Sequence, residues 1–150
     1  MQLTRSADYL LRILYYLASC GTEALARRQD IVAATDVPDG LFPRLAGQLR
    51  RAGLIATTQG ARGGYRLAVP PEQITLLDAI EVGMGEMALN ECVLRPASCH
   101  RSPTCVIHRA LDGASQRMRE SLQAVTLADL VRQDACLREA VGERLAGEVP

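Results

Sequence analysis

Apolar residues recur at helical spacing along most of this chain, broken at one place by two short runs around a glycine-rich turn. Leu3, Ala7, Leu10, Leu11, Leu14, Leu17 and Ala18 stand three and four apart, the spacing of one face of an α-helix over residues 3–19. Gly21 is its natural stop. Asp8 lies one position beyond Ala7, on the margin of that stripe. A second, short helix is expected over residues 25–35, with Leu25, Ile31, Val32 and Ala34 inward, and Asp36-Val-Pro-Asp-Gly40 then carries turn chemistry. A third helix should run to about Ala52, with Leu41, Phe42, Leu45 and Leu49 inward and Gly53 ending it. Pro43 lacks an amide proton and would kink a helix interior, so it belongs in the first turn.

The helical pattern then breaks. Leu54-Ile-Ala-Thr-Thr58 and Tyr65-Arg-Leu-Ala-Val69 read as short strands joined by Gln59-Gly-Ala-Arg-Gly-Gly64, whose glycines permit tight backbone with Arg62 at the tip. Two helices joined by a turn could be an ordinary helical hairpin. A β-hairpin directly after them makes a winged helix-turn-helix the better reading. A glycine-rich loop can also cradle phosphate, but that needs a helix N-terminus next, and here a strand follows.

Pro70-Pro71 closes this head. Thr75-Leu-Leu-Asp78 fits a capping box with Asp in the place of Glu, and opens a short helix ending at Gly83. Residues 83–90 read as a flexible link. After Pro103, Ile107, Leu111, Ala114, Met118, Leu122 and Val125 trace a narrow seam like that of a coiled coil. The head uses its short helices on itself, so this long helix is expected to serve dimerisation. Thr126-Leu-Ala-Asp129 is a second capping box opening another short helix, and residues 135–150 are weakly helical with no readable role. The expected class is mainly α with a small β-hairpin. It divides into a winged helix-turn-helix head at 1–70, a Cys-bearing loop with a long dimerisation helix at 71–133, and a tail at 134–150.

Composition supports helix-on-helix packing: hydrophobic residues make up 48% of the chain, but aromatics only 3% with no Trp. Charge adds a direction. Residues 1–70 carry nine Arg against five acids, a net of +4, while residues 71–150 carry eight Arg against twelve acids, a net of −4. A polyanion partner is therefore expected for the first half alone. No apolar run reaches the length of a membrane span, and no export signal is evident at the N-terminus. Five cysteines, an odd number, point to a reducing cytoplasm and to metal or redox chemistry instead of a disulfide framework.

Cys92, Cys99 and Cys105 fall in one short segment with both histidines, His100 and His108. Thiolates are soft ligands for zinc or iron–sulfur clusters. The gaps of six and then five residues are wider than the two-residue gap of zinc knuckles, and suit loops around a larger cluster, stiffened by Pro96 and Pro103. Zinc, and no metal at all, stay open on spacing alone. Three cysteines leave a fourth ligand to find, and His108 follows Cys105 with two residues between. Cys20 and Cys136 lie outside the segment and read as plain thiols. No nucleophile–base–orienter set can be assembled, so an enzyme is not expected.

Met1-Gln-Leu-Thr4 with Ala7-Asp-Tyr9, Leu49-Arg-Arg-Ala-Gly-Leu-Ile55, Gly60-Ala-Arg-Gly-Gly-Tyr-Arg-Leu67, Ile74-Thr-Leu-Leu-Asp-Ala-Ile80, the Cys triplet and Val125-Thr-Leu-Ala-Asp-Leu130 together resemble the Rrf2 family of bacterial winged-helix regulators over about residues 1–133. The resemblance implies a homodimer whose long helices cross. Its recognition helices, about residues 39–52 here, would sit in adjacent major grooves of a palindromic operator in double-stranded DNA. It implies DNA contacts from Asp39, Gly40 and Arg44, with Arg50 and Arg51 at the helix end and Gln59 and Arg62 in the wing. Gly40 and Pro43 stand where other members often have polar side chains, and Gln59 where some have Arg. For the fourth ligand it implies either His108, with a 2Fe-2S cluster, or Asp8 from the other subunit, with a 4Fe-4S cluster. The function so implied is a transcriptional regulator, a repressor, sensing redox state, nitric oxide or iron and cluster status. Two alternatives stand beside it: a cluster-free, thiol-sensing regulator, and an iron–sulfur electron-transfer or carrier protein.

Overall fold

The first helix starts where a side chain can take over the work of a missing helical carbonyl. The Thr4 hydroxyl accepts the Ala7 amide at 3.2 Å, opening α1 (Arg5–Cys20). Ala7, Leu10, Ile13, Leu14, Leu17 and Ala18 are buried along α1, and Gly21, at φ +90°, ends it. Leu3 precedes the helix and is 46% exposed, so it does not belong to the apolar face expected of it. The structure, a computed structural model, describes residues 2–60 and 62–146, with side chains up to residue 136.

The second helix, α2 (Arg28–Thr35), begins later than its expected start. Ala26 pairs with Tyr65 through two hydrogen bonds of 2.9 Å, so the chain there is extended against the hairpin and Leu25 is left exposed. Ile31 and Thr35 are the buried positions of α2, not Ala34. Asp36 turns the chain in a left-handed conformation, and α3 (Phe42–Arg51) follows with Pro43 in its first turn, as expected. Phe42, Leu45, Ala46 and Leu49 are buried, whereas Leu41, expected inward, is 43% exposed.

Strand β1 (Ile55–Thr58) pairs antiparallel with β2 (Gly64–Leu67), Ile55 opposite Leu67 and Thr58 opposite Gly64. A Cβ at Gly63 would stand 2.2 Å from the Thr58 carbonyl oxygen, so only glycine closes this wing. The head core joins α1, α2, α3 and the inward residues of the hairpin, with the Phe42 and Tyr65 rings edge to face at 5.0 Å.

The remaining elements are α4 (Leu76–Met84), the short α5 (Glu91–Leu94), α6 (Val106–Gln123) and α7 (Leu127–Ala146). Both predicted capping boxes form, Thr75 with Asp78 and Thr126 with Asp129. They stand side by side: Thr75 and Thr126 form an antiparallel bridge, with Leu76 N donating to Val125 O and Leu127 N to Ile74 O, each at 2.9 Å. Helix α4 lies directly on α1, where a Cβ at Gly83 would meet the Ala7 Cα at 2.6 Å. A second core forms from Leu77, Ile80 and Met87, with Met118 and Leu122 of α6 against it.

Three expectations change here. Residues 85–90 are pinned, not loose. Met87 is 3% exposed and its amide donates to Glu81 Oε1 at 3.0 Å, while Leu89 N donates to the buried Ser115 Oγ at 3.0 Å. Arg119 of α6 pairs with the same Glu81 carboxylate. The apolar seam of α6 is also split: Met118 and Leu122 complete this chain's own core, whereas Ile107 stays 66% exposed. The short helix expected after Thr126 is instead α7, 20 residues long, so the expected tail begins inside it; its backbone is helical to Ala146, and residues 147–150 lie outside the described residues. No helix among the described residues is long and apolar enough to cross a membrane.

Candidate metal centre and nucleic-acid interface

The three segment cysteines owe their positions to short, local structure. Asn90 caps α5, its Oδ1 accepting the Glu91 amide at 2.8 Å, and Cys92 sits in that helix. Tight 3-10 turns follow at Pro96–Ser98 and Ser102–Thr104, each with a proline at its start, and each is followed directly by a cysteine, Cys99 and Cys105. Proline suits this place because its φ is preset and its missing amide proton leaves no bond unmade. Cys105 is also the N-cap of α6: its Sγ accepts the His108 amide at 3.4 Å. The positive end of that helix favours an anionic ligand set beside it.

Cys92, Cys99 and Cys105 are half-buried, unbridged thiols, whereas Cys20 and Cys136 are exposed. Cys99, His100, Ser102, Pro103 and His108 line a cavity of about 360 Å³. Among the described residues, three buried side-chain polar atoms find no hydrogen-bond partner, and two of them, Ser102 Oγ and His108 Nδ1, belong to residues lining this cavity. A buried polar group left unsatisfied costs about 1–3 kcal/mol, so these atoms favour a polar or ligating partner in the cavity, an ordered water or a bound group. Thiolates with an imidazole nitrogen are a donor set suited to an iron–sulfur cluster or zinc. In donor chemistry the residues fit such a group. Among the described residues, however, no three Cys, His, Asp or Glu side chains gather closely enough to hold a single metal ion. The wrapped loop brings Cys99, His100 and His108 to one cavity, with Cys105 bonded to the His108 amide, but leaves Cys92 on α5. Asp8 lies on α1, half-exposed and paired with Arg12 at 3.0 Å.

The basic half of the molecule presents a different surface. Pro43, Arg44, Gly47, Arg50 and Arg51 recur at helical spacing along the outward side of α3. A groove of about 470 Å³ separates α3 from the wing, with Ala46 and Gly47 on one wall, Thr58 and Gln59 on the other, and Arg27 and Arg50 beside them. Arg62 is exposed on the wing and Gly40 on the turn before α3. Arg44 donates to Ser6 Oγ of α1 at 3.3 Å. Asp39 is committed within the chain: Arg28 grips its carboxylate through Nε at 2.9 Å and Nη2 at 2.8 Å, and also donates to its carbonyl. Arg27 and Arg28, which the sequence pattern does not single out, also line this groove; they are carried there by the extended chain at Ala26, which pairs with Tyr65 far along the chain.

Known proteins decide what this arrangement belongs to. The model of the family Rrf2, described as "Iron-dependent Transcriptional regulator", matches residues 3–133. The chain belongs to the Rrf2 family. It is 32% identical over 145 residues to the HTH-type transcriptional regulator NsrR of Geobacillus kaustophilus, covering 96% of this chain and 99% of that protein. It is 35% identical over 133 residues to protein aau3 of Rhizobium meliloti, covering 88% and 86%. Among solved structures, CymR of B. subtilis, described as the global cysteine regulator, matches at TM-score 0.70 and 26% identity, covering 89% of this chain and 98% of that one. The IscR of T. potens matches at TM-score 0.72 and 23% identity over 89% and 88%, a likeness of fold. This Rrf2 protein is thus a transcription regulator with a winged helix-turn-helix fold, from a family that binds DNA and not a family of enzymes.

Proposed function

We propose that this Rrf2 regulator is a cytoplasmic repressor that senses redox state, nitric oxide or iron supply through an iron–sulfur cluster held by Cys92, Cys99 and Cys105. The observation carrying this reading is the pair of orphaned buried atoms, Ser102 Oγ and His108 Nδ1, among residues of the Cys99 cavity. It favours His108 as the fourth ligand and a 2Fe-2S cluster. Asp8 of a second copy, with a 4Fe-4S cluster, is the competing assignment, and would require the Asp8–Arg12 pair to open. A bound cluster would supply a centre that oxidants, nitric oxide or iron loss can alter. A nitrogen or oxygen ligand exchanges more readily than thiolate, and would be the point of entry. The chain's own part is to present Cys92 on α5 and Cys99 and Cys105 directly after preset turns, and to join the segment leading into them, residues 85–90, to α4 and α6 through Glu81, Arg119 and Ser115.

The assembly proposed is a homodimer on a palindromic operator. Val106 and Ile107 at the start of α6 are 71% and 66% exposed, and Gly113 in its middle would meet only the Arg117 guanidinium if it carried a Cβ. A helical glycine without an internal reason suits the close approach of another helix. DNA would be held by Arg44, Arg50, Arg51, Gln59 and Arg62, with Gly40 admitting close approach and Asp39 orienting Arg28.

A cluster-free, thiol-sensing regulator is the second reading, favoured by the absence of a gathered three-donor set among the described residues. Family membership leaves the electron-carrier reading without support. Anaerobic purification followed by absorbance and Mössbauer spectra separates the two that remain. The first reading expects brown protein with a spectrum altered by His108→Ala or by Asp8→Ala. It also expects operator binding that differs between cluster-loaded and cluster-free forms. Colourless protein after anaerobic reconstitution with iron and sulfide would sink it.

A further inference from the structure

We infer that α3 reads DNA through thymine methyl groups, with Leu41 as the specificity-determining residue. This rests on the reading above in which α3 enters the major groove. Leu41 is a large aliphatic side chain at the N-cap of α3, 43% exposed, on a helix whose other large apolar side chains are buried. Nearly half of its surface stands in water, where it gains nothing for the fold. Around it the usual polar readers are missing or engaged. Gly40 has no side chain, Phe42 is buried, and Pro43 is exposed and apolar. The Asp39 carboxylate is taken by Arg28. Arg44 is the one long polar side chain of this first turn, and it reaches back to Ser6.

A leading edge of Leu and Pro has no donor or acceptor with which to distinguish base edges. In the major groove the four bases offer an aliphatic group a single distinctive partner, the C5 methyl of thymine. Gly47 adds an independent observation. It lies inside α3 with ordinary backbone angles, and a Cβ there would meet nothing but Arg51 Nη1 at 3.5 Å. Glycine in a helix interior is unfavourable, and nothing inside the chain requires it here. Its place, on the same side as Pro43 and Arg44 and between them and Arg50, is where a partner must approach closely. The flanking guanidinium groups of Arg27, Arg50 and Arg62 match a phosphate backbone in charge. The occupant of this edge is therefore duplex DNA, and the base it selects is thymine.

The test uses the full chain, purified anaerobically, to enrich a preferred duplex from a randomised library. Each thymine of that duplex is then replaced by deoxyuridine, which removes only the methyl group. The expected result is one or two positions per half-site at which the parent protein loses about fourfold in affinity, the effect of unburying one methyl-sized group. Leu41→Ala, a change outside the core, should be insensitive at those positions, and 5-methylcytosine there should bind the parent protein more tightly than cytosine. Uracil that costs nothing at any position overturns the inference, as does uracil that costs Leu41→Ala as much as the parent. A chain that enriches no sequence overturns the DNA-reading role itself, and the inference with it.

Discussion

Gly47 and Gly83 are both helical glycines, and they are there for opposite reasons. At Gly83 a Cβ would meet Ala7 backbone at 2.6 Å, so α1 and α4 can touch only if this residue is glycine. Gly83→Ala should destabilise the chain by about 1–3 kcal/mol, the cost of overpacking, seen as a lower urea midpoint. At Gly47 the space is open on the chain's own side. Gly47→Ala should therefore raise stability by about 0.5–1 kcal/mol while weakening DNA binding. A variant that gains stability without losing affinity would show that no partner approaches there. Neither reason can be read from a glycine in a sequence, since each depends on what lies across from it. The cysteines, by contrast, were legible because their chemistry and spacing are local. The orphaned Ser102 Oγ and His108 Nδ1 were not, because burial is a property of the folded loop.

At the level of elements, local signals read true and long-range ones did not. Both capping boxes were visible as Thr-x-x-Asp, and both form. Loss of the Thr75 hydroxyl in Thr75→Ala should cost about 1 kcal/mol in thermal or urea unfolding. In the second box, hydrogen bonds from the Thr126 amide and hydroxyl hold the Asp129 carboxyl below the usual carboxylate range, with Arg132 adding to the effect. A depressed folded value means this contribution is complete above the unfolded value, near that of a free carboxylate, and is lost as pH falls through the folded one. Asp129→Asn should accordingly narrow the difference in stability between neutral and acid solution; an unchanged pH profile would show that the box has no such role. The start of α2 was misplaced because its extended lead-in is held by Tyr65 of the hairpin. Residues 85–90 looked loose because the side chain that fixes Leu89 is Ser115, twenty-six residues later. Ser115→Ala strands that amide, and about 1–3 kcal/mol of stability should go with it.

Over the whole molecule, the division of charge legible in composition matches the division of labour in the fold. The basic half carries the α3–wing groove, and the acidic half carries the cysteine loop and α6. Operator affinity should fall steeply with salt, and Arg62→Ala should both weaken binding and flatten that dependence by about 0.9 in log–log slope if one phosphate contact is lost. An unchanged slope would remove Arg62 from the interface. The architecture was legible too, apart from which residues of α6 turn inward. Periodicity alone cannot tell which part of a seam faces the same chain and which part faces outward, and here Met118 and Leu122 turn inward while Ile107 does not.

Ser6, Ala7 and Asp8 are consecutive, and each faces a different business. Ser6 accepts from Arg44 of α3, Ala7 abuts Gly83 of α4, and Asp8, paired with Arg12, is the competing candidate to reach a second copy. Three successive residues of a helix span about 4.5 Å along its axis, less than one turn. Were Asp8 to let go of a cluster in a second copy, the disturbance would have no flexible linker to cross and no segment to melt before it reached Arg44. Such a relay would behave like a crank on a rigid shaft. Its signature would be a shift in operator affinity with amide exchange along α1 unchanged.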